Sequence, residues 1–391
     1  MIAGILFGFL PLAIWLYLLL FHNGFWLLRE RDTLPVNEPA AWPSVAAVVP
    51  ARNEADVIQR SIASLLAQDY PGAFRIVLVD DQSDDGTADL ARALASSRLT
   101  VLNGVPPPPG WTGKLWAMKQ GGDHAAASSF DDGKAPEFLW FTDADIAHST
   151  DNLRNLVARA QDGDKGGKVL VSLMVRLSCK TPAEHFLIPA FVFFFDMLFP
   201  FGAVNNPKNT VAAAAGGCML ARRAALEKAG GIEAIRHNII DDCALGRAMK
   251  TQGPIWLGLT NRAVSLRPYE HISDIRRMVT RSAYAQLGYS PLVLAATMLG
   301  LGLVYLAPVM TALFAWGVSQ MAGWLAWIVM ALMYQPMLRF YRLSPLWGLA
   351  LPLIGVFYAA FTLESACLHW SGRGGMWKGR VQAAKSSGTR A

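Results

Sequence analysis

From Pro291 to Trp370 the only formally charged side chains are Arg339, Arg342 and Glu364. A water-facing domain needs charge on its outer faces, whereas hydrocarbon makes every charge expensive, so this depletion is the mark of a bilayer environment. Three stretches inside it, Pro291 to Gly317, Met321 to Leu338 and Pro345 to Leu363, each approach the ~20 apolar residues that cross ~30 Å of lipid. A fourth, Ile2 to Leu28, has no formal charge before Arg29. It lacks the basic leader and small-residue cleavage site of a secretory signal, which reads as a retained anchor.

Arg29 and Arg31 follow that anchor directly. Basic residues stay on the cytoplasmic side, so the polar region that comes next is expected in the cytosol of a multi-pass plasma (inner) membrane protein. Three further crossings would then leave the C-terminal tail outside, yet the tail carries Arg373, Lys378, Arg380, Lys385 and Arg390 and no acid. Either one apolar segment is re-entrant or interfacial, or one long stretch is a hairpin; Pro308, Pro352 and Glu364 are the candidate break points. The expected division is an anchor over 1–28, a catalytic domain over 42–290, membrane helices over 291–370 and a basic cytosolic tail over 371–391.

The net charge of +6 raises the question of nucleic acid. Much of the excess lies in the tail, where attraction to anionic headgroups explains it more simply, so no nucleic-acid partner is expected. Cys179, Cys218, Cys243 and Cys367 have no C-x-x-C spacing and read as reduced structural thiols.

Between Ser44 and about residue 175 short apolar runs alternate with helix-like segments, the pattern of βαβ units and a largely parallel sheet. The expected strands are Val45 to Val49, Arg75 to Val79, Leu99 to Leu102, Phe138 to Phe141 and Val169 to Met174. Ligands bind such sheets beyond the C-terminal strand ends, where nearly every polar signal here falls. The run from Pro106 to Pro109 is a stiff connector into Gly110, Trp111, Thr112, Gly113 and Lys114. The apolar, Phe-rich segment 183–201, interrupted by Asp196, reads as an interfacial helix, with a buried core helix as the alternative.

The first strand turns at Pro50 and Ala51 into Arg52, Asn53 and Glu54, which offers backbone donors and a carboxylate to a nucleotide, or is an ordinary strand exit. The second runs into Asp80, Asp81, Gln82, Ser83, Asp84, Asp85, Gly86 and Thr87. Asp80 and Asp81 suit a base or ribose; Asp84 and Asp85 suit the capping of the next helix. The fourth ends in Asp143, Ala144, Asp145. Hard divalent cations take one or two carboxylates together with substrate phosphates, so this spacing suits a bridged diphosphate, with Mg2+ or Mn2+ as cofactor. Lys114 suits the same phosphates as a point charge, or is an exposed lysine at a helix start. Asp241 and Asp242 open a helix after Ile239 and Ile240. A carboxylate there is either a general base for an attacking hydroxyl or a helix cap.

In order, the Pro50 to Glu54 exit, the Asp80 to Thr87 turn, Gly113 and Lys114, the Asp143/Asp145 pair, Gly216 and Gly217, and Asp241, Asp242 with Leu245 resemble family 2 glycosyltransferases of the GT-A fold over about residues 42–290. That resemblance implies an α/β, Rossmann-like catalytic domain beside transmembrane helices, a nucleotide pocket at Asp80, Asp81 and Asp143, a metal on Asp145, an acceptor loop at Gly216 and Gly217 and a base at Asp242. Gly110 to Lys114 and the Gly375 to Arg380 segment resemble lipid-directed members such as ceramide glucosyltransferases and carotenoid-pathway enzymes, and the whole pattern, with the Phe-rich stretch and Leu287 to Pro291, looks most like the hopene-associated bacterial members, which implies a hopanoid-type lipid acceptor. The Gln- or Arg-x-x-Arg-Trp segment of many relatives is absent; the nearest match is Met278, Val279, Thr280, Arg281, Ser282, which leaves Arg281 as an acceptor-side or phosphate-facing residue without its tryptophan.

The expectation is a hexosyltransferase that inverts the anomeric centre while moving one sugar from a nucleotide donor, a UDP-sugar, to a membrane lipid. The alternatives are transfer to polyprenyl phosphate, which needs no strong base, and a non-catalytic lipid-binding scaffold. A dinucleotide oxidoreductase is disfavoured because the first turn lacks G-x-G-x-x-G.

Overall fold

The computed structural model describes residues 2–130, 133–163, 167–377 and 380–381. Lys378 and Gly379 of the Gly375 to Arg380 motif, and the tail from Gln382 with Lys385 and Arg390, lie outside them. The chain forms two compact units, one of residues 1–29, 179–202 and 268–375, the other of residues 30–178, 203–267 and 376–391.

The second unit is an α/β sandwich around eight strands: β1 (Val45–Ala51), β2 (Phe74–Asp80), β3 (Leu99–Asn103), β4 (Phe138–Thr142), β5 (Ile146–His148), β6 (Leu170–Arg176), β7 (Cys218–Arg222) and β8 (Ile255–Ser265). Their order is β3-β2-β1-β4-β7-β6-β8-β5. The chain lays β2 and β3 to one side of β1 and returns to the other side for β4, with Ala51 opposite Asp80 and Val48 opposite Phe141, all parallel. That reversal opens a crevice beyond the ends of β1, β2 and β4. Every residue of β1 is buried, as its continuous apolar run requires of a strand covered on both faces.

All five expected strands form within two residues of their expected ends. The sheet is less parallel than expected, because β7 runs antiparallel to both β4 and β6, and β5 antiparallel to β8. Strand β5 has three residues, too few for periodicity to show, while β7 and β8 lie past the apolar segment at which the βαβ rhythm stops.

Among the described residues of the first unit three helices are long and apolar enough to cross a membrane, Pro291–Phe314, Gly317–Phe340 and Pro345–Trp370, beside a shorter apolar helix, Gly8–Phe21. Their outward side chains are large and apolar, among them Leu299, Phe314, Val318, Leu332 and Leu353. Pro308 does not break the first span. It has no N–H to donate to the carbonyl one turn back, the helix widens into a π turn over Gly302–Leu306, and the Val304 carbonyl accepts from Trp15 Nε1 at 2.8 Å. Pro352 starts the α-helical part of the third span, where a missing N–H costs nothing, and Glu364 pairs with Arg276 at 3.5 Å. Gly355 lies so close to the Tyr305 ring that a Cβ would sit 2.7 Å from it.

The helix Pro182–Leu198 begins with a capping box, Thr181 Oγ1 accepting from Glu184 N–H and Glu184 Oε2 from Thr181 N–H. Pro182 and Leu198 at its ends are exposed, while Phe186, Phe191, Phe194 and Phe195 are half-buried. Phe193 packs on Phe25 and Tyr334, and Phe194 on Tyr305 and Tyr358. Aromatic on several sides, the helix does not confine its Phe residues to one stripe.

Candidate active site

The exits of β1 and β2 are stitched together. Asn53 and Gln82 both take left-handed backbone conformations, φ 52° and 56°. The N–H groups of Asn53, Glu54 and Ala55 donate to Ser83 Oγ, Thr87 Oγ1 and Asp85 Oδ2 at 2.9, 2.9 and 3.0 Å. Burial opposes it, but hydrogen bonds from Thr87 and Ala55 lower the Asp85 carboxyl below its usual range. Asp85 thus holds the turn. Pro50 and Ala51 are buried, and the Ala51 carbonyl accepts from Asp81 N–H at 2.7 Å, so both act through the backbone path they impose.

Asp80 and Asp81 are 7% and 1% exposed. Asp80 Oδ2 accepts from Ser83 N–H at 3.2 Å, while its Oδ1 is buried without a hydrogen-bond partner. Such an oxygen is costly unless a ligand donor reaches it. Asp81 Oδ2 lies 3.8 Å from Arg52 Nη1.

The ends of β4 and of the sequence-distant helix Asp241–Lys250 meet at Lys114. Thr112 caps the helix Gly113–Ala127 through Leu115 N–H, which places Lys114 in its first turn. Lys114 Nζ lies 2.9 Å from Asp143 Oδ1 and 3.2 Å from Asp241 Oδ2. The second contact is charge on charge, since Asp241 Oδ2 accepts no aligned hydrogen bond. Burial would lower the ammonium's proton affinity, but Asp143, Asp241 and Asp242 together raise it above the usual lysine value. Lys114 is firmly a cation.

Asp242 Oδ2 accepts from Gly216 N–H at 2.9 Å and Oδ1 from Cys243 N–H at 2.7 Å. Burial first, then the charge of Asp241, raises its pKa to about 6 against the pull of Lys114 and the two backbone donors. Gly216 lies close against both groups: a Cβ there would sit 3.3 Å from Asp242 Oδ2 and 3.5 Å from Lys114 Nζ. Asp143 is also raised, by burial and by Asp145, with Lys114 opposing.

Asp145 is engaged by Arg267, Nε to Oδ2 at 3.2 Å, and the same guanidinium bonds Glu54 through Nη2. Burial works against the charge of Arg267, but Glu54 and Asp145 raise its proton affinity overall. Sequence reasoning missed Arg267; its one signal is a cation just past the end of a long strand. It also missed the buried support under the turn. Thr142 Oγ1 donates to the Gly217 carbonyl at 2.9 Å and meets His148 Nε2 at 2.9 Å, while Asn152 Nδ2 meets His148 Nδ1 at 2.9 Å. With the threonine proton spent on Gly217, His148 must carry its own on Nε2 and accept at Nδ1. Burial lowers its pKa to about 3, so the ring is neutral. It links β4, the Gly217 loop and the helix Asn152–Gln161.

Among the described residues no group of three or more His, Cys, Asp or Glu side chains could hold a metal by itself. Two oxygen donors still fit a hard cation that completes its shell with phosphate and water. Asp143 is near enough to Asp145 for that charge to raise it, as such a pair requires. Arg281 belongs to the other unit, at the C-terminus of the helix Ile272–Thr280.

A parallel sheet core with a reversal beside β1, acidic strand ends on one crevice and a C-terminal antiparallel addition define the GT-A fold, and the protein is a glycosyltransferase. Residues 46–230 match the model of Glycosyl transferase family 2. The mannosyltransferase PcManGT from Pyrobaculum calidifontis, solved with GDP-Man and Mn2+, is 20% identical over 95% of this chain and 98% of its own, with a TM-score of 0.55. This likeness is one of fold. TarS (1–349) from S. aureus with UDP-GlcNAc is 16% identical over 88% of this chain and 97% of its own, TM-score 0.37. Glucosyl-3-phosphoglycerate synthase from Mycobacterium tuberculosis, with Mn2+ and UDP-Glc, is 21% identical over 63% and 79%, TM-score 0.36. No curated protein matches the sequence.

Proposed function

We propose that this glycosyltransferase moves one sugar, with inversion, from a UDP-sugar to a membrane lipid acceptor of hopanoid type. The observation that carries the reading is the Lys114 bridge, which sets Asp143 of the β4 end against Asp241 of a helix about a hundred positions away, with Asp242 beside it.

In this reading Asp80, Asp81 and Asp143 receive the base and ribose, and Glu54 borders the pocket that Pro50 and Ala51 shape. Lys114 faces the diphosphate. Asp145 with Asp143 would hold Mg2+ or Mn2+, which when bound supplies positive charge against the leaving diphosphate. The acceptor hydroxyl lies over Gly216 and Gly217, with Asp241 beside it. Its oxygen bonds to the anomeric carbon from the face opposite the phosphate, the carbon–oxygen bond to the diphosphate breaks, and the proton passes to Asp242. A carboxylate with a pKa of about 6 is ionised at pH 7 yet more basic than an ordinary aspartate, as a general base requires.

A lipid acceptor is supported by the three apolar helices, and a multi-pass plasma-membrane position with a cytosolic catalytic domain by Arg29 and Arg31 after the N-terminal apolar segment. Arg281 is assigned to the acceptor side, and the hopanoid class rests on the resemblance of the Gly110 to Lys114 and Leu287 to Pro291 motifs. The test is release of nucleoside diphosphate by the detergent-purified protein from a UDP-sugar, with Mn2+, given a hydroxylated hopanoid or a polyprenyl phosphate. Hexose addition to the hopanoid alone supports the proposal; addition to polyprenyl phosphate alone refutes the acceptor.

A further inference from the structure

Arg267 has no part in the mechanism above, yet it grips two carboxylates of the donor side. Its backbone is pinned: Leu266 N–H donates to the Asp145 carbonyl at 2.8 Å, and Ser265 pairs with Ile146 across β8 and β5. The Arg267 side chain lies across Glu54, whose side chain is 9% exposed, and Asp145, at 19%, while being 32% exposed itself. A guanidinium is planar and permanently charged, with donors in a fixed fork, so it serves as a stand-in cation between two acids. It has an obvious new partner in an incoming diphosphate, which Arg binds well.

We infer that Arg267 is a built-in competitor of the divalent cation at Asp145, released when a nucleotide diphosphate offers it other oxygens. This rests on the assignment of Asp145 as the metal-binding carboxylate. While Arg267 engages Oδ2, a cation must either displace the guanidinium or bind the remaining oxygen beside a like charge. Metal without nucleotide should therefore bind weakly, and nucleotide should strengthen it. The device holds the two acids in place and makes metal binding contingent on donor.

The experiment is titration of the full-length, detergent-purified protein with Mn2+, read by the EPR signal of free ion, with and without UDP. Arg267→Gln should bind Mn2+ about tenfold or more tightly than the parent without UDP, the range set by losing one charged hydrogen bond. It should also lose most of the strengthening by UDP. Arg267→Lys, which keeps the charge and loses the fork, should fall between the two, and decides the matter if Arg267→Gln does not fold. Asp145→Asn should abolish the difference. Unchanged or weaker Mn2+ binding in Arg267→Gln, with normal UDP-dependent binding in the parent, overturns the competitor and leaves the metal assignment standing. No Mn2+ binding by either protein, with or without UDP, sinks both.

Discussion

Asp242→Asn should stabilise the protein at neutral pH while stopping the reaction, and the two effects separate catalysis from structure. The folded state raises the proton affinity of Asp242 from an ordinary 3.8 to about 6. At about 1.4 kcal/mol per tenfold change, carrying the charge costs the fold about 3 kcal/mol above pH 7. Below about pH 3 the group is protonated in both folded and unfolded chains, and the cost disappears. Between those limits the folded chain binds the proton more tightly, so stability falls as pH rises through the window. Asparagine removes the charge but accepts only one of the bonds from Gly216 and Cys243, which returns about 1–2 kcal/mol. The variant should thus melt a few degrees above the parent at pH 7.5 and below it at pH 4, with a crossover between. Thermal melts across pH read this, beside a transfer assay in which kcat falls about 100- to 10,000-fold. A melting difference that does not change with pH, or transfer that survives, would refute a charged, functional Asp242.

Lys114→Met removes the cation that opposes protonation of Asp143 and Asp242. The acidic limb of kcat against pH, expected near 6 in the parent, should move up by about one pH unit or more; a limb that stays put excludes the bridge. His148→Ala takes one buried partner each from the Thr142 hydroxyl and the Asn152 amide and leaves a cavity, and should cost about 2–4 kcal/mol in chemical denaturation. The parent should also lose stability, relative to this variant, as pH falls from 6.5 towards 3, because the unfolded ring protonates at 6.5 and the folded ring at about 3. Asp242 pulls the opposite way over part of that range, so the difference between parent and variant is the quantity to measure.

The parts of this protein set by local signals were legible in the chain. Charge depletion over Pro291 to Trp370 marks apolar spans whatever they pack against, and the continuous runs of β1 and β4 mark strands covered on both faces. The acids at the β2 and β4 ends were readable too, since a strand end is where apolar residues give way to polar ones. Tertiary structure alone decided the rest. A three-residue β5 has no period to detect, and the packing of the Phe-rich helix depends on which aromatics from distant segments arrive to cover it. The partners of Asp145 are a guanidinium some 120 positions away and, through it, Glu54. Lys114 became a bridge because two carboxylates, one on each side, were folded to within about 3 Å of its amine. Sequence separation carries no information about such distances, because the energy that sets them is the burial of the whole sheet and its helices, paid once by the fold as a unit.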